Sequence, residues 1–259
     1  MKNTPFIAVT SQPVPYHADT TAIFNTLCQQ NSNSLLLDSA EIGSKNSLQS
    51  LILINAAVKI TCLGNQVTFR ALNANGKQVL KEIHPALSQL GTVSAVNFDN
   101  EFSVQFAPLD NQLDEDSKLQ AATIFDGLRV ISNHYQHSST PVFLGGLFAY
   151  DLVANFIPMQ GVELKDDGIH CPDYSFYLAE NLITIDHQSQ QATLKSFCFS
   201  QEEQVEVAKT ALSIAQKLKN IDGVLSIKAA SDEVSTNFED PEFTGIVKAL
   251  KHHINIGDV

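Results

Sequence analysis

Two polar side chains that could bind a ligand directly follow an apolar run near the N-terminus. Three leucines at residues 35–37 predict a short buried strand over residues 35–38, and Asp38 and Ser39 stand at its exit. A carboxylate can attract an ammonium group, and a hydroxyl can both donate and accept a hydrogen bond. The pattern is compatible with a simple exit of the strand into a turn and with a small-molecule site at the strand terminus.

Histidines are the next candidates for chemistry. His134 and His137 lie three residues apart at the end of a predicted helix, where two imidazoles could share a metal ion. No Asp, Glu or Cys at ligand spacing completes such a site, so we predict no metal centre there. His252 and His253 are adjacent and point to different sides of a predicted helix, which indicates solvated side chains.

Motifs for phosphate binding and nucleophilic catalysis do not occur in the sequence. Gly145-Gly146 lacks the spacing of a phosphate-binding loop and indicates close packing or a bulge. The acidic run at residues 114–116 is typical of a helix N-terminus, where the helix dipole favours negative charge. There is no dinucleotide fingerprint, Walker motif or GxSxG sequence, so the residues alone identify no active site.

Composition and charge exclude several classes of protein. The chain has 259 residues, of which 44% are hydrophobic, and a net charge of −12 from 28 acidic and 16 basic residues. This acidity argues against a nucleic-acid-binding or anionic-membrane surface. No apolar run approaches the roughly 20 residues that span a bilayer. The N-terminal residues form no continuous hydrophobic stretch of a signal peptide, so we expect a cytoplasmic protein.

The four cysteines show no metal-binding or redox spacing. They are scattered at positions 28, 62, 171 and 198, with no CxxC pair. This pattern is typical of reduced, mostly buried thiols rather than of a disulfide framework.

Hydrophobic periodicity predicts an α+β fold with mainly antiparallel sheets and flanking helices. The clearest element is a hairpin over residues 58–72, with Gly64-Asn65 as its turn. A turn is predicted at residues 73–76, and residues 49–55 are ambiguous between strand and helix. Further strand pairs are predicted at 93–98 with 102–106 and within 171–199, and helices at 20–28, 113–136, 201–218 and 240–256.

Two of these helices carry a predicted apolar face. The helix over residues 201–218 is expected to bury Val205, Ala208, Leu212, Ala215 and Leu218. The last helix is expected to open with Asp240 as its cap and Pro241 at the first helical position. Its predicted apolar face consists of Phe243, Ile246, Val247, Leu250 and Ile254.

Several long segments resemble the N-terminal region of anthranilate synthase component I, of the proteobacterial, tryptophan-feedback-inhibited type. The resemblance covers essentially the whole chain. Its segments are residues 35–72 (LLLDSAEIGSKNSLQSLILINAAVKITCLGNQVTFRAL), 113–131 (LDEDSKLQAATIFDGLRVI), 143–156 (FLGGLFAYDLVANF), 171–188 (CPDYSFYLAENLITIDHQ) and 240–258 (DPEFTGIVKALKHHINIGD).

This resemblance implies an enzyme of tryptophan biosynthesis that converts chorismate and ammonia to anthranilate and pyruvate. The ammonia would come from glutamine through a glutamine amidotransferase subunit, component II. In the family, the catalytic and Mg²⁺-binding residues belong to a C-terminal domain. The resemblance thus implies a partial component I: a regulatory domain at residues 1–222, a linker at 223–238, and the first helix of the catalytic domain at 239–259. No catalytic residue or metal ligand is expected in this chain.

The resemblance also implies a role for the residues at the end of the predicted strand. In the family, the segment that matches Leu37, Asp38, Ser39 and Gln49 contributes to the allosteric L-tryptophan site. Relatives often carry Glu in place of Asp38 and Lys in place of Gln49. Two alternatives are a free-standing domain that binds an aromatic ligand without catalysis, and aminodeoxychorismate synthase component I.

Overall fold

The computed structural model describes residues 5–29, 31–38, 48–97, 100–108, 113–138, 140–157, 171–221 and 236–257. The chain divides into two compact units, Met1–Val224 and Leu225–Val259. Each unit is described below by itself. The predicted linker at 223–238 lies largely outside the described residues, and the predicted domain boundaries stay a prediction.

The first unit is built on a sheet whose described neighbours all pair antiparallel, so the α+β class with mainly antiparallel sheet is confirmed. The strand order is β1-β9-β8-β3-β4-β6-β5, while β2 pairs with β3 and β7 pairs with β8. The strands are β1 (Ala8–Val14), β2 (Leu35–Leu37), β3 (Gln49–Leu63), β4 (Gln66–Ala71), β5 (Thr92–Asn97), β6 (Glu101–Gln105), β7 (Leu144–Phe148), β8 (Tyr174–Asp186) and β9 (Gln191–Cys198).

Five α-helices among the described residues of the first unit accompany this sheet. They are α1 (Thr20–Cys28), α2 (Ala74–Leu87), α3 (Glu115–Gln120), α4 (Asp126–His134) and α5 (Gln204–Leu218), and a 3-10 helix covers Tyr150–Asn155. Among the described residues, no helix has the length and apolar character needed to cross a membrane.

The long central strands β3 and β8 contribute to two apolar cores. Ile52 and Ile54 of β3 pack with α1 and α5 residues in one core, whereas Leu53, between them, belongs to the other. Beyond the register shifts between Leu53 and Val58, the even-numbered Val58 and Ile60 have joined the core of Leu53. Side chains alternate between the two faces of a strand. A one-residue irregularity therefore moves the even-numbered residues from one core to the other.

The predicted hairpin is confirmed, and the ambiguous residues 49–55 form the first half of β3. Val58 pairs with Ala71 and Leu63 with Gln66 across the turn. Gly64 at that turn has φ +57, a conformation that glycine adopts without steric cost.

The turn predicted at residues 73–76 is wrong, because this segment begins α2. Asn73 is the N-cap, and its side-chain oxygen accepts a hydrogen bond from the backbone N–H of Gly76 at 2.8 Å. Asn and Gly favour turns but also favour helix starts, and here the buried face of the following helix decides between the two. A Cβ on Gly76 would lie 1.9 Å from the carbonyl oxygen of Ala57, so glycine permits α2 to approach β3 closely.

The helix predicted over residues 113–136 is confirmed only in part. Asp114 caps α3 by accepting a 2.8 Å hydrogen bond from the N–H of Ser117, as expected of an acidic helix start. The chain then becomes extended at Ala121, with ψ 141, before α4 begins. The apolar positions are thereby shared between two helices and the segment that joins them.

The apolar face predicted for the helix after β9 is mostly wrong. The buried residues of α5 are Val207, Ala211, Ile214 and Leu218. Val205 and Leu212, which we expected inside, are 65% and 58% exposed. Two apolar stripes run along this helix, and only docking against β9, β1 and α1 selects between them.

The glycine pair in β7 is confirmed as a close-packing feature. A Cβ on Gly146 would lie 2.1 Å from the carbonyl oxygen of Ser175 in the neighbouring strand β8. Any larger residue would push these two strands apart.

The described part of the second unit is dominated by α6 (Asp240–Ile256). Its N-cap is Glu239, not the predicted Asp240, and no side-chain hydrogen bond caps it. Pro241 lies in its first turn as predicted, and Gly257 ends it in the left-handed conformation with φ 82.

A partly buried carboxylate joins α2 to α4, and the loss of one of its hydrogen bonds offers a test of the fold. Glu82 accepts hydrogen bonds from the hydroxyl of Tyr135 at 2.9 Å and from Nε2 of His134 at 3.0 Å. Burial, and secondarily the charge of Glu82, raises the pKa of Tyr135, so its hydroxyl remains a donor throughout the neutral range.

Replacing Tyr135 by Phe should therefore lower the free energy of unfolding by roughly 1.5–3 kcal/mol, because a buried hydrogen bond to a charged group is lost. The matched control is Tyr150→Phe, whose ring is 91% exposed, and which should change stability by less than about 0.5 kcal/mol. Urea denaturation followed by circular dichroism measures both. Equal stability of the two variants would show that the Glu82 contact does not stabilise the fold.

Candidate functional site

The carboxylate at the end of β2 is held by two hydroxyl groups. Thr20 Oγ1 donates to Asp38 Oδ2 at 3.1 Å. Ser50 Oγ donates to Asp38 Oδ1 through a short hydrogen bond. Each carboxylate oxygen thus has a donor, which fixes the orientation of an otherwise exposed side chain.

The hydrogen bonds continue from Ser50 into the protein. Ser50 Oγ lies 2.8 Å from His187 Nε2, and His187 Nδ1 lies 3.2 Å from the hydroxyl of Tyr16. Ser50 has a single proton, which it gives to Asp38, so it must accept from Nε2–H. In neutral His187 the Nδ1 atom is then the acceptor of the Tyr16 hydroxyl. We call Tyr16, Thr20, Asp38, Ser50 and His187 the Asp38 cluster.

Separate parts of the chain bring the Asp38 cluster together. Ser50 is the second residue of β3, and its Cα pairs with that of Ile185 in β8. His187 directly follows β8, and its N–H donates to the carbonyl of Leu48 at 2.9 Å. Thr20 is the first residue of α1, and Tyr16 precedes that helix.

Although it contains Ser, His and Asp, the Asp38 cluster is not a hydrolytic triad. In such a triad the serine gives its proton to the histidine, and the carboxylate orients the histidine. Here Ser50 stands between the two and donates to the carboxylate, so its oxygen is not activated as a nucleophile. Ser50 is also fully buried. The geometry suits non-covalent binding of a cationic group at Asp38.

The structure brings together some of the residues predicted for the tryptophan site. Leu37 lies opposite Leu51, and Asp38 therefore reaches Ser50, the neighbour of Gln49. Ser39 lies outside the described residues. The predicted role of Leu37, Asp38, Ser39 and Gln49 in binding tryptophan stays a prediction.

The expectation of a buried strand at residues 35–38 is wrong, because Leu35 and Leu36 are only half-buried and the last two positions are exposed. Strand β2 covers Leu35–Leu37 only, and Leu37 is 40% exposed. Asp38 and Gln49 are exposed. A strand of only three residues ends before its last side chains are buried, so those positions remain open to a ligand.

Sequence reasoning missed most of the Asp38 cluster. His187 is 137 residues from Ser50 along the chain, and no spacing rule connects them. Thr20 is the first residue of α1, and Asp19 caps this helix by accepting from the N–H of Ala22, so nothing in the sequence links the Thr20 hydroxyl to Asp38. The one available signal was the pair of polar residues Asp186 and His187 ending a long apolar strand.

The histidine and cysteine candidates lie in ordinary structural positions. His134 contacts Glu82, and the described residues contain no group of three or more His, Cys, Asp or Glu side chains that could hold a metal ion. Cys28, Cys62 and Cys198 are buried and Cys171 is exposed, which confirms the prediction of mostly buried thiols. Burial, aided by the charge of Asp173, raises the pKa of Cys62 to about 12.

Comparison with known proteins identifies the family. A family model described as "chorismate binding enzyme" matches residues 77–259. The chain is 86% identical over 254 residues to anthranilate synthase component 1 of Haemophilus influenzae, covering 98% of this chain and 49% of that protein. It is 40% identical over 269 residues to the protein of the same name from Vibrio cholerae, covering 100% of this chain and 50% of that protein.

A solved structure is also similar, but distantly. It is anthranilate synthase component I from Streptococcus pneumoniae TIGR4, at 14% identity and a TM-score of 0.39, with 94% of this chain and 45% of that chain covered. The chain spans about half the length of the curated relatives it matches.

The resemblance to anthranilate synthase component I found in the sequence is thus confirmed by curated relatives. The family match covers residues 77–259, which is well over half of the chain. The chain therefore belongs to the family of chorismate-binding enzymes.

Proposed function

We propose that this chain is the tryptophan-responsive part of an anthranilate synthase component I. The complete enzyme would convert chorismate and ammonia to anthranilate, pyruvate and water in the cytoplasm. A glutamine amidotransferase subunit would supply the ammonia. The observation that carries this proposal is the 86% identity over 98% of the chain to a protein named anthranilate synthase component 1. The shared name of the relatives favours this reaction over that of aminodeoxychorismate synthase.

Mg²⁺ is the cofactor that the family resemblance implies, and the described residues do not fit it. A hard divalent cation needs several oxygen ligands around one point. The described residues provide no such group of side chains. We therefore assign no metal-dependent step to them and propose that Mg²⁺ binds outside this chain, in the part of its relatives that it does not cover.

The Asp38 cluster supports an effector site for L-tryptophan. The exposed carboxylate of Asp38 can accept hydrogen bonds from the α-ammonium group of the ligand. The exposed side of Leu37 offers apolar surface to the indole ring, and the amide of Gln49 can donate to the ligand carboxylate. Ser50 and Thr20 keep the Asp38 carboxylate in one orientation, which lowers the entropy lost on binding.

A polypeptide of residues 1–259 alone should form no anthranilate from chorismate, ammonia and Mg²⁺. The reason is that the described residues hold no group of side chains for a metal ion, and the resemblance places catalysis elsewhere. Anthranilate fluorescence measures the reaction, with a complete component I as the positive control. Turnover by the purified polypeptide, free of full-length enzyme, would contradict the proposal.

In the complete enzyme, Asp38→Asn should weaken inhibition by L-tryptophan roughly ten- to hundredfold. Losing the charge of a hydrogen-bonding partner costs about 1.5–3 kcal/mol, which corresponds to that change in the inhibition constant. Turnover without tryptophan should stay nearly unchanged, and Ser39→Ala should act in the same direction. The matched control is Glu202→Gln, which removes an exposed carboxylate elsewhere. An unaltered inhibition constant in a stably folded Asp38→Asn enzyme would refute the effector site.

His187 should act on tryptophan only by positioning Ser50 and Asp38. His187→Ala should weaken inhibition roughly two- to tenfold, the cost of one hydrogen bond of about 0.5–1.5 kcal/mol. In an Asp38→Asn background the same change should have little further effect, because the group it positions is gone. Additive effects in this double-mutant cycle would show that His187 acts independently of Asp38.

A further inference from the structure

A second carboxylate, remote in sequence from Asp38, is buried in the middle of β8. Glu180 is only 7% exposed. Its Oε2 atom accepts hydrogen bonds from the side-chain amides of Asn73 at 2.9 Å and Asn75 at 2.8 Å. Its Oε1 atom accepts no hydrogen bond from any residue in the described ranges. Oε1 is not one of the fully enclosed side-chain atoms that lack a partner among the described residues, so it is open to solvent.

An irregularity in the sheet creates this position. The register of β3 and β8 shifts between the pairs Asn55–Asn181 and Ala56–Ala179, so Glu180 falls between two paired positions. Bulges turn a side chain in a direction that regular pairing does not allow, and they occur often at binding sites.

Asparagine side chains donate hydrogen bonds to backbone carbonyls close to this irregularity. Asn31 donates to the carbonyl of Ile54 at 2.6 Å, and Asn75 donates to the carbonyl of Phe197 at 3.0 Å. This structural role accounts for the asparagine side chains. None of these asparagine amides donates to Oε1 of Glu180, which has no hydrogen-bond partner among the described residues.

Two adjoining cavities share Glu180, Asn73 and Thr210 in their walls. The larger has a volume of about 240 Å³ and is otherwise lined by Asn31, Asn33, Asn55, Ala56 and Leu72. The smaller, of about 160 Å³, includes Glu203 and Glu206. Among the described residues that line them, there is no Lys, Arg or His.

The electrostatics of this site favour a cation. Burial raises the pKa of Glu180, the charge of Glu203 raises it further, and the hydrogen bonds from Asn75 and Asn73 oppose this shift. The ionised carboxylate is therefore costly in the empty protein, and a bound cation would offset that cost.

We propose that the cavity beside Glu180 binds a small aliphatic primary ammonium compound, whose ammonium group donates a hydrogen bond to Glu180 Oε1. The remaining ammonium protons can be accepted by Thr210 Oγ1 and the side-chain oxygen of Asn55, both of which line the larger cavity. Ala56 and Leu72 provide apolar contact for a short carbon chain.

Charge restricts the ligand to this class. The larger cavity, of about 240 Å³, has room for a short carbon chain beside the ammonium group. A zwitterionic amino acid would bring a carboxylate close to Glu203 and Glu206 without any described basic lining residue to receive it. This separates the site from the effector site proposed at Asp38, on which it does not depend.

The test is titration of the 259-residue chain with ethylammonium chloride at constant ionic strength, followed by NMR of the asparagine side-chain amides. Binding should be saturable, with a dissociation constant no tighter than about 1 mM for a ligand of three heavy atoms. The resonances of Asn55, Asn73 and Asn75 should shift. Tetramethylammonium, which has no N–H donor, should not bind.

Glu180→Gln is the decisive variant because it keeps the shape and an acceptor for Asn73 and Asn75 but removes the charge. It should weaken ethylammonium binding at least roughly tenfold. The control Glu202→Gln should bind as the parent chain does. If Glu180→Gln does not fold, Thr210→Val removes one ammonium acceptor and should weaken binding several-fold.

The pH dependence gives a readout that needs no variant. Only the ionised carboxylate pairs with the ammonium, and the pKa of Glu180 is raised. Affinity should therefore increase as the pH rises above the ordinary glutamate value of 4.5 and through the raised pKa. A site that bound through exposed carboxylates alone would reach full affinity at lower pH.

Four results would overturn the proposal: no saturable binding, equal binding by Glu180→Gln, equal binding of tetramethylammonium, or preferential binding of guanidinium or Mg²⁺. Each would leave Glu180 as a structural link between β8 and the start of α2.

Discussion

The pairing of β3 with β8, with its register shifts near the middle, is the contact on which the remaining structure depends. The two strands run together from Gln49 opposite Asp186 to Cys62 opposite Tyr174. Because the register shifts near residues 53–58, the same two strands supply side chains to both apolar cores. The helices α1 and α5 pack on one core, while α2 and α4 pack on the other.

The same strand pair positions both candidate binding sites. At one end of the pair, Ser50 and His187 meet and hold the carboxylate of Asp38. At the register shifts, Glu180 is turned toward the asparagines at the start of α2. The two sites follow different physical principles. Asp38 is exposed and oriented by hydroxyl donors, so it is ready to meet a ligand from solvent. Glu180 is buried, so its charge is costly unless a cation accompanies it.

Membership in the chorismate-binding family gives these features a functional setting. A regulatory site needs a ligand-binding group connected to elements that can transmit a change. The Asp38 cluster joins the segment before α1, the first turn of α1 and the ends of β3 and β8 by hydrogen bonds. A ligand at the proposed Asp38 site would therefore act on elements that reach both cores.

Local sequence signals predicted the features that depend on a few consecutive residues. Gly64 and Asn65 between alternating strands predicted the hairpin, and the acidic residues before α3 predicted its cap, because turns and caps are decided by neighbouring side chains. The same kind of signal failed at Asn73, where a residue type common in turns caps a helix.

By itself, the sequence determined the α+β class, most strands, the family and the polar strand end at Asp38. Tertiary structure alone decided which apolar stripe of α5 is buried and at which residue β3 turns from one core to the other. It also decided which distant residues form hydrogen bonds with Asp38 and which form them with Glu180. The physical reason is that hydrophobic burial has no direction of its own, so two apolar stripes on one helix are equivalent until a sheet covers one of them. Hydrogen bonds such as that between Ser50 and His187 form only after strand pairing has brought their ends together.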